Sequence, residues 1–374
     1  MTSSTSSSSR RAAVALLASA LAGCAGAGAA GPMLEPTGPS ARVLVLPPEN
    51  LTGGSLPARE LMEPIERALA TRGVDVITGA QLEEWLARYR IRYTGGVDAV
   101  AAQAAREELG ADGLLVTSIQ VYDDAPRLAL SMRLVASGPE PRIVWAESWG
   151  RTGADSPGLL GLGFVGSLEE LRAEALGSLF ASLGDRLEGR GPVARPCPGG
   201  AWFDPRIAYE NPPDRRESTS VAVLPFVNYT RRRGAGELLA LEFTGQVAAV
   251  PGVEAVEPGV VRDALLKRRI VMEDGVSLDQ ARTLTNALQA DLVVAGYVFD
   301  FDDGGYVPIA NFTVLVLDRK TNRIVWESTS WNKGTDSETV FGLNRVMTGH
   351  RLACRMARNA VVGFAPRGTL PPRR

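Results

Sequence analysis

A repeat constrains this chain more than any other feature. Val43-Leu44-Val45-Leu46-Pro47 runs on to Asn50-Leu51-Thr52, and Val221-Ala222-Val223-Leu224-Pro225 runs on to Asn228-Tyr229-Thr230 at the same distance. Downstream, Ala111-Asp112 before Leu114-Leu115-Val116 is answered by Ala290-Asp291 before Leu292-Val293-Val294. Ile143-Val144-Trp145 is answered by Ile324-Val325-Trp326, and Trp149 by Trp331. Pro225 follows Pro47 by 178 residues, Asp291 follows Asp112 by 179, and Trp326 follows Trp145 by 181. An offset held this steady implies two tandem copies of one domain. The 374 residues are long for one core and comfortable for two.

Apolar spacing supplies the elements. In the first copy strands are expected over 42–46, 74–77, 113–122, 127–135 and 142–149, and helices over 57–72, 80–89, 98–109 and 168–187. In the second copy the strands fall at 221–226, 253–256, 292–301, 311–317 and 324–330, and the helices at 235–250, 260–269, 278–288 and 338–362. Each copy therefore reads β-α-β-α-α-β-β-β-α. The βαβ portion argues for parallel strands and the last three strands for an antiparallel meander, so each domain is an α/β mixed sheet flanked by helices. The expected boundaries are 42–189 for the first domain, 190–219 for a linker, 220–365 for the second domain and 366–374 for a disordered tail.

The N-terminus carries an address. Arg10-Arg11 precede an apolar run from Ala12 to Ala22, too short to span a bilayer and suited to a secretory signal. The run ends in Leu21-Ala22-Gly23-Cys24, which resembles a bacterial lipobox. On that resemblance 1–23 is a lipoprotein signal peptide and Cys24 is the lipidated first residue of the mature chain. Ala25 is not the aspartate that would retain such a protein at the inner membrane, so the expected location is the periplasmic face of the outer membrane. Residues 24–41 are rich in Gly, Ala and Pro and read as a flexible tether, reaching roughly 55–60 Å if extended. Without Cys24 two cysteines remain, Cys197 and Cys354, an even pair in an oxidising compartment and hence a candidate disulfide.

The Val-Leu-Pro-Phe-x-Asn-x-Thr strand, the later Ala-Asp-hydrophobic strand and the Ile-Val-Trp strand resemble one envelope group. They are similar to the periplasmic α/β domains of curli-secretion (CsgG-type) lipoproteins, of lipoprotein activators of peptidoglycan synthases, and of the TolB N-terminal domain. The resemblance implies a protein that binds other envelope components or assembles, and no enzyme. The chain departs from the curli channel in having two domains and no pair of long alternating hairpins that could build a barrel.

Local signals add contact candidates and few chemical ones. With one histidine, His350, and three cysteines, a conventional zinc site is not expected, nor is any cofactor. The net charge of −2 gives no reason to expect nucleic acid. Gly161-x-Gly163-x-x-Gly166 stands about ten residues after its strand, where amides cannot meet a pyrophosphate, and reads as an apolar loop. Asp300, Asp302 and Asp303 lack the distal bidentate Glu of a calcium loop, since the twelfth position is Asn311. Arg231, Arg232 and Arg233 follow the first strand of the second copy, at the end where α/β sheets bind ligands, and are the first choice for a partner contact. Asn50 and Asn228 are expected to hold the turn after strand one, and Trp145 and Trp326 to pack under the closing helix. His350 has no Ser, Cys or paired acid nearby in sequence.

The resulting expectation is an outer-membrane-anchored, non-catalytic lipoprotein that docks onto an envelope protein or peptidoglycan-associated machinery. The alternatives are a homo-oligomerising subunit of a secretion or surface-fibre apparatus and, in a third class, an envelope hydrolase using His350.

Overall fold

The computed structural model describes residues 31–155, 164–211, 218–272, 275–303, 307–340 and 343–365. The signal peptide, Cys24, the glycines at 161 and 163 and the tail 366–374 lie outside them.

The first repeat runs β1 (Arg42–Val45), β2 (Glu49–Asn50), α1 (Ala58–Ala70), β3 (Asp75–Ile77), α2 (Gly79–Arg88), α3 (Ala99–Leu109), β4 (Gly113–Asp123), β5 (Arg127–Ala136), β6 (Ile143–Thr152) and α4 (Leu168–Leu187). Its sheet has the order β3-β1-β4-β5-β6, with β2 also on β4. β1 lies parallel to β3 and β4, and the β4-β5-β6 meander is antiparallel. The second repeat runs β7 (Arg206–Glu210), β8 (Thr219–Val223), β9 (Val227–Asn228), α5 (Ala235–Ala248), β10 (Val253–Ala255), α6 (Pro258–Leu266), α7 (Leu278–Leu288), β11 (Leu292–Asp302), β12 (Ile309–Asp318), β13 (Arg323–Lys333) and α8 (Gly349–Phe364). Its order is β10-β8-β11-β12-β13-β7, with β9 on β11. With the two-residue strands β2 and β9 and the added edge strand β7 set aside, both domains have the β-α-β-α-α-β-β-β-α order and a mixed sheet between helices.

The shared motifs have shared jobs. Proline cannot donate to a ladder, so β1 and β8 stop before Pro47 and Pro225. Asp112 Oδ2 accepts the N–H of Arg42 at 2.8 Å, and Asp291 Oδ2 accepts that of Ser220 at 3.1 Å. The Ala-Asp motif therefore holds the start of the strand that Leu-Pro ends, β1 or β8, in each repeat. Asn50 Oδ1 accepts the Thr52 N–H and its Nδ2 donates to Gly54 O, while Asn228 makes the same pair of bonds to Thr230 and Arg232. Trp145 is buried among α4 residues and donates to Ser182 Oγ at 3.1 Å. Trp326 is buried in the cluster that includes Met356 and Phe364 of α8.

Three expectations change. The segment 190–219 is not a free linker: β7 pairs antiparallel with β13, and Ala194 bridges to Ala146. Backbone groups left unpaired by the edge strand β13 recruit it. The closing helix begins at Gly349 instead of residue 338, because Thr348 caps it by accepting the Arg351 N–H and Asn344 sits at φ +67°. The tether is held from Gly31 onward, since Pro32 O accepts from the buried Arg186 and Thr37 donates to Asp112 Oδ1.

Helices α1 and α5 are repeat-equivalent and chemically different. α1 buries only Leu61, Ile65 and Leu69 and turns Arg59, Glu60, Glu63 and Arg67 outward. α5 buries residues on every side, including Leu238, Leu241, Glu242 and Phe243. A helix apolar all round must be covered twice. One side of α5 packs on its own sheet, where Phe243 meets Phe226 and Phe312. The other side packs on the first domain.

Candidate functional site

The face of the first sheet beyond α2 and α3 is built from small and polar residues, Ser118, Gln120, Ser131 and Ser148. These admit α5 closely. Glu242 of α5 accepts from Gln120 Nε2 at 3.1 Å and from Ser148 Oγ at 3.4 Å, and its Oε1 lies 2.8 Å from His350 Nδ1. His350 Nδ1 also lies 2.7 Å from Gln120 Oε1. Gly150 on β6 makes room, since a Cβ there would stand 2.5 Å from His350 Cδ2. Sequence reasoning gave His350 no acid, because Glu242 lies more than a hundred residues away. The arrangement is not a catalytic triad: the carboxylate stands between serine and imidazole, and all three are packed inside the seam.

A second cluster closes the other end of the seam. Arg133 forms an ion pair with Glu257 at 3.4 Å and donates to Gly95 O at 2.6 Å, while Glu257 Oε1 accepts the Val97 N–H at 3.2 Å. Here two backbones touch, for a Cβ on Gly259 would lie 2.1 Å from Val97 N. Glu49 accepts from Ser118 Oγ at 2.6 Å. Burial, reinforced by the Glu237 charge, pushes the Glu49 carboxyl up to about 7. Burial raises Glu257 as well, against the pull of Arg133. Tyr93 donates to Glu237 Oε1 at 3.1 Å, and burial with the Glu49 and Glu237 charges lifts its phenol well above the ordinary range. Arg262 stacks on the Tyr93 ring at 4.1 Å.

The arginine cluster is split by this seam. Arg231 and Arg233 are exposed, but Arg232 turns inward. It donates to Leu51 O at 2.6 Å and Gln120 O at 2.8 Å across the domain boundary, and pairs with Asp303 at 3.2 Å. A guanidinium fork suits several carbonyls at once, so Arg232 is a structural clamp and is not available to a partner. Its contact also removes Asp303 from any calcium loop, and among the described residues no group of three metal-ligating side chains occurs. Cys197 and Cys354 form a disulfide with Cα atoms 5.9 Å apart, tying the segment before β7 to α8.

Among the described residues no helix covers the repeat-equivalent face of the second sheet. Where the first sheet has Leu51, Ser118, Gln120, Ser148 and Gly150, the second has Tyr229, Tyr297, Phe299, Thr329 and Trp331. Trp331 thus answers Gly150 and not the Trp149 that the sequence repeat suggests, because the strand pairing places Thr329 opposite Thr313 as it places Ser148 opposite Ser131. The strand registers match: Glu49 pairs with Ser118 as Val227 pairs with Tyr297. Tyr229 stacks on Tyr297 at 6.2 Å and on Phe299 at 5.8 Å between ring centroids. Exposure is 63% for Tyr229, 47% for Phe299 and 54% for Trp331. Clustered exposed aromatics around Thr313, Thr329 and Asn311 have the composition of a protein-binding face. Sequence reasoning missed this face, although the repeat alignment already sets aromatics against small polar residues.

No family model matches the chain, and no curated protein matches it. Among solved structures it is similar to the PelC dodecamer from Paraburkholderia phytofirmans, at 15% identity over 44% of this chain and 99% of that one, with a TM-score of 0.31. It is similar to lipoprotein GNA1162 from Neisseria meningitidis at 20% identity, over 38% of this chain and 99% of that one, with a TM-score of 0.28. The C-terminal domain of LpoB from Salmonella enterica matches at 24% identity over 33% of this chain and 87% of that domain, with a TM-score of 0.27.

Proposed function

We propose that this chain is a non-catalytic, lipid-anchored adaptor of the cell envelope. It docks a helix of another envelope protein on the open face of its second sheet. The observation that carries this is the inequality of the two repeats: one face is filled by α5, and its equivalent presents Tyr229, Phe299 and Trp331 to solvent beside the half-buried Tyr297. A face that accepts a helix in one copy is shaped to accept one in the other. Anchoring through Cys24 would raise the local concentration of the docking face near the membrane. The buried polar groups of the seam are engaged in holding the domains together, which favours recognition over chemistry.

The test is a photo-crosslinking residue placed at Trp331 and, as a control, at Glu63 on α1, in cells making the full chain. The expected result is one discrete envelope protein crosslinked through a helix from position 331 and none from 63. Equal products from both positions, or none from either, would remove the reading.

A homo-oligomer is the second reading, because a second copy could offer its own helix. The helix equivalent to α5 is α1, and it turns Glu60, Glu63 and Arg67 outward where α5 has Leu238, Leu241 and Gly245. Those charges would be stranded on an aromatic face. A monomeric mass in solution therefore accompanies the adaptor reading, and a ring would replace it.

A further inference from the structure

A groove of about 570 Å³ opens between the domains, on the side where the N-terminal segment leaves the first domain. Ile143, Val193, Ala249 and Val253 are among the residues that line it, and the segment's first described residues, Gly31 and Pro32, form part of its wall. The size is that of a small-molecule site, and the lining is mainly apolar.

The exit of the tether is built into this mouth. Arg186, buried at the end of α4, donates to Val144 O at 2.8 Å, Gly191 O at 3.0 Å and Pro32 O. One guanidinium thus binds the tether, the segment after α4 and β6 together. Gly31 adopts φ +117° against Val193, where a Cβ would stand 2.5 Å from Val193 Cγ2. Only glycine passes there. Six residues separate Gly31 from Cys24, seven steps of chain with a reach of about 25 Å at most, and those residues, 25–30, are all Ala or Gly.

The geometry points to this groove as a binding site for an acyl chain carried on Cys24. The inference rests on the lipid-anchor part of the reading above and is independent of the docking face. A short tether of small residues pinned at the mouth keeps the lipid at high local concentration beside an apolar groove. The lipid of Cys24 then has two resting places, the bilayer and the groove, and the groove shields it while the protein is off the membrane.

The test uses cis-parinaric acid, a fluorescent fatty acid, on purified full-length mature protein. The Cys24→Ser chain, made without lipid, is expected to bind one probe per chain. The lipidated chain freed of detergent is expected to bind at least tenfold less, its groove being filled by its own anchor. Ala249→Trp, which fills the groove, should weaken uptake by the Cys24→Ser chain at least tenfold. Should that variant fail to fold by circular dichroism, Val193→Asp at the half-buried rim takes its place. No uptake by the Cys24→Ser chain, uptake unchanged by both groove variants, or equal uptake by the lipidated chain overturns the proposal. A mature mass without lipid on Cys24 overturns it also, whereas loss of crosslinking at Trp331 bears only on the docking face.

Discussion

Gln120 and Phe299 occupy the same bulge of the same strand in the two repeats, and only Gln120 is covered. The β4-β5 register slips between Ile119 and Val121, and the β11-β12 register slips between Val298 and Asp300. A bulge re-aims the side chain it carries. In the first repeat it aims an amide at Glu242 and His350 inside the seam; in the second it aims a phenyl ring at solvent. One gene segment has thus produced an internal joint and an open face from the same backbone.

Converting the open face to the covered type should separate binding from stability. Phe299→Gln with Trp331→Ser removes two exposed rings, and exposed positions usually change stability by about 0.5 kcal/mol or less. Crosslinking at a neighbouring position such as Thr329 should fall at least tenfold, with the urea midpoint nearly unchanged.

The three arginines should behave unequally. Arg232→Ser leaves Leu51 O and Gln120 O without their donor and Asp303 without its cation, at a cost of about 2–3 kcal/mol. Arg231→Ser and Arg233→Ser, both at exposed positions, should each stay within about 0.5 kcal/mol. Denaturant titration of the three variants checks the order.

Stability should fall as pH rises towards neutrality. Glu49 has a folded pKa of about 7, raised above its unfolded value. The folded state therefore holds more protons than the unfolded one between about pH 4.5 and 7, so its contribution is fully present below that window and lost through it. Burial of Glu257 acts in the same direction. The groups facing Glu49 are Glu237, Arg133, Tyr93 and Ser118. For Glu49 alone the loss is at most roughly 3 kcal/mol. Glu49→Gln should flatten the difference in unfolding free energy between pH 5 and pH 8; an unchanged slope would refute the assignment.

Reduction should loosen the second domain. The Cys197–Cys354 bond spans 157 residues of chain, and removing a native disulfide commonly costs about 2–5 kcal/mol. Cys197→Ser with Cys354→Ser should lower the melting temperature, and reductant should do the same to the unaltered chain and nothing further to the double variant.

What the sequence by itself determined is whatever acts over a few residues or repeats in register. Leu-Pro ends the first strand, Asn-x-Thr holds the turn, Ala-Asp holds that strand's start, and apolar spacing of 2 or 3.6 separates strands from helices. Those signals yielded the α/β class, the element order and the duplication. Where a local signal was ambiguous the boundary slipped, as at 338–348, where Thr348 and not the upstream charges begins the helix. Only the tertiary structure decided how the two copies meet. Glu242 reaches Gln120 across 122 residues and Gln120 reaches His350 across 230. No periodicity encodes such a contact, because it depends on which face each sheet leaves open and which helix is apolar on both sides. Arg232 read as a surface charge for the same reason: its partners Leu51, Gln120 and Asp303 come from elsewhere in the chain. The exposure of Tyr229, Phe299 and Trp331 was likewise settled by packing, since a residue's burial depends on whether another helix arrives to cover it.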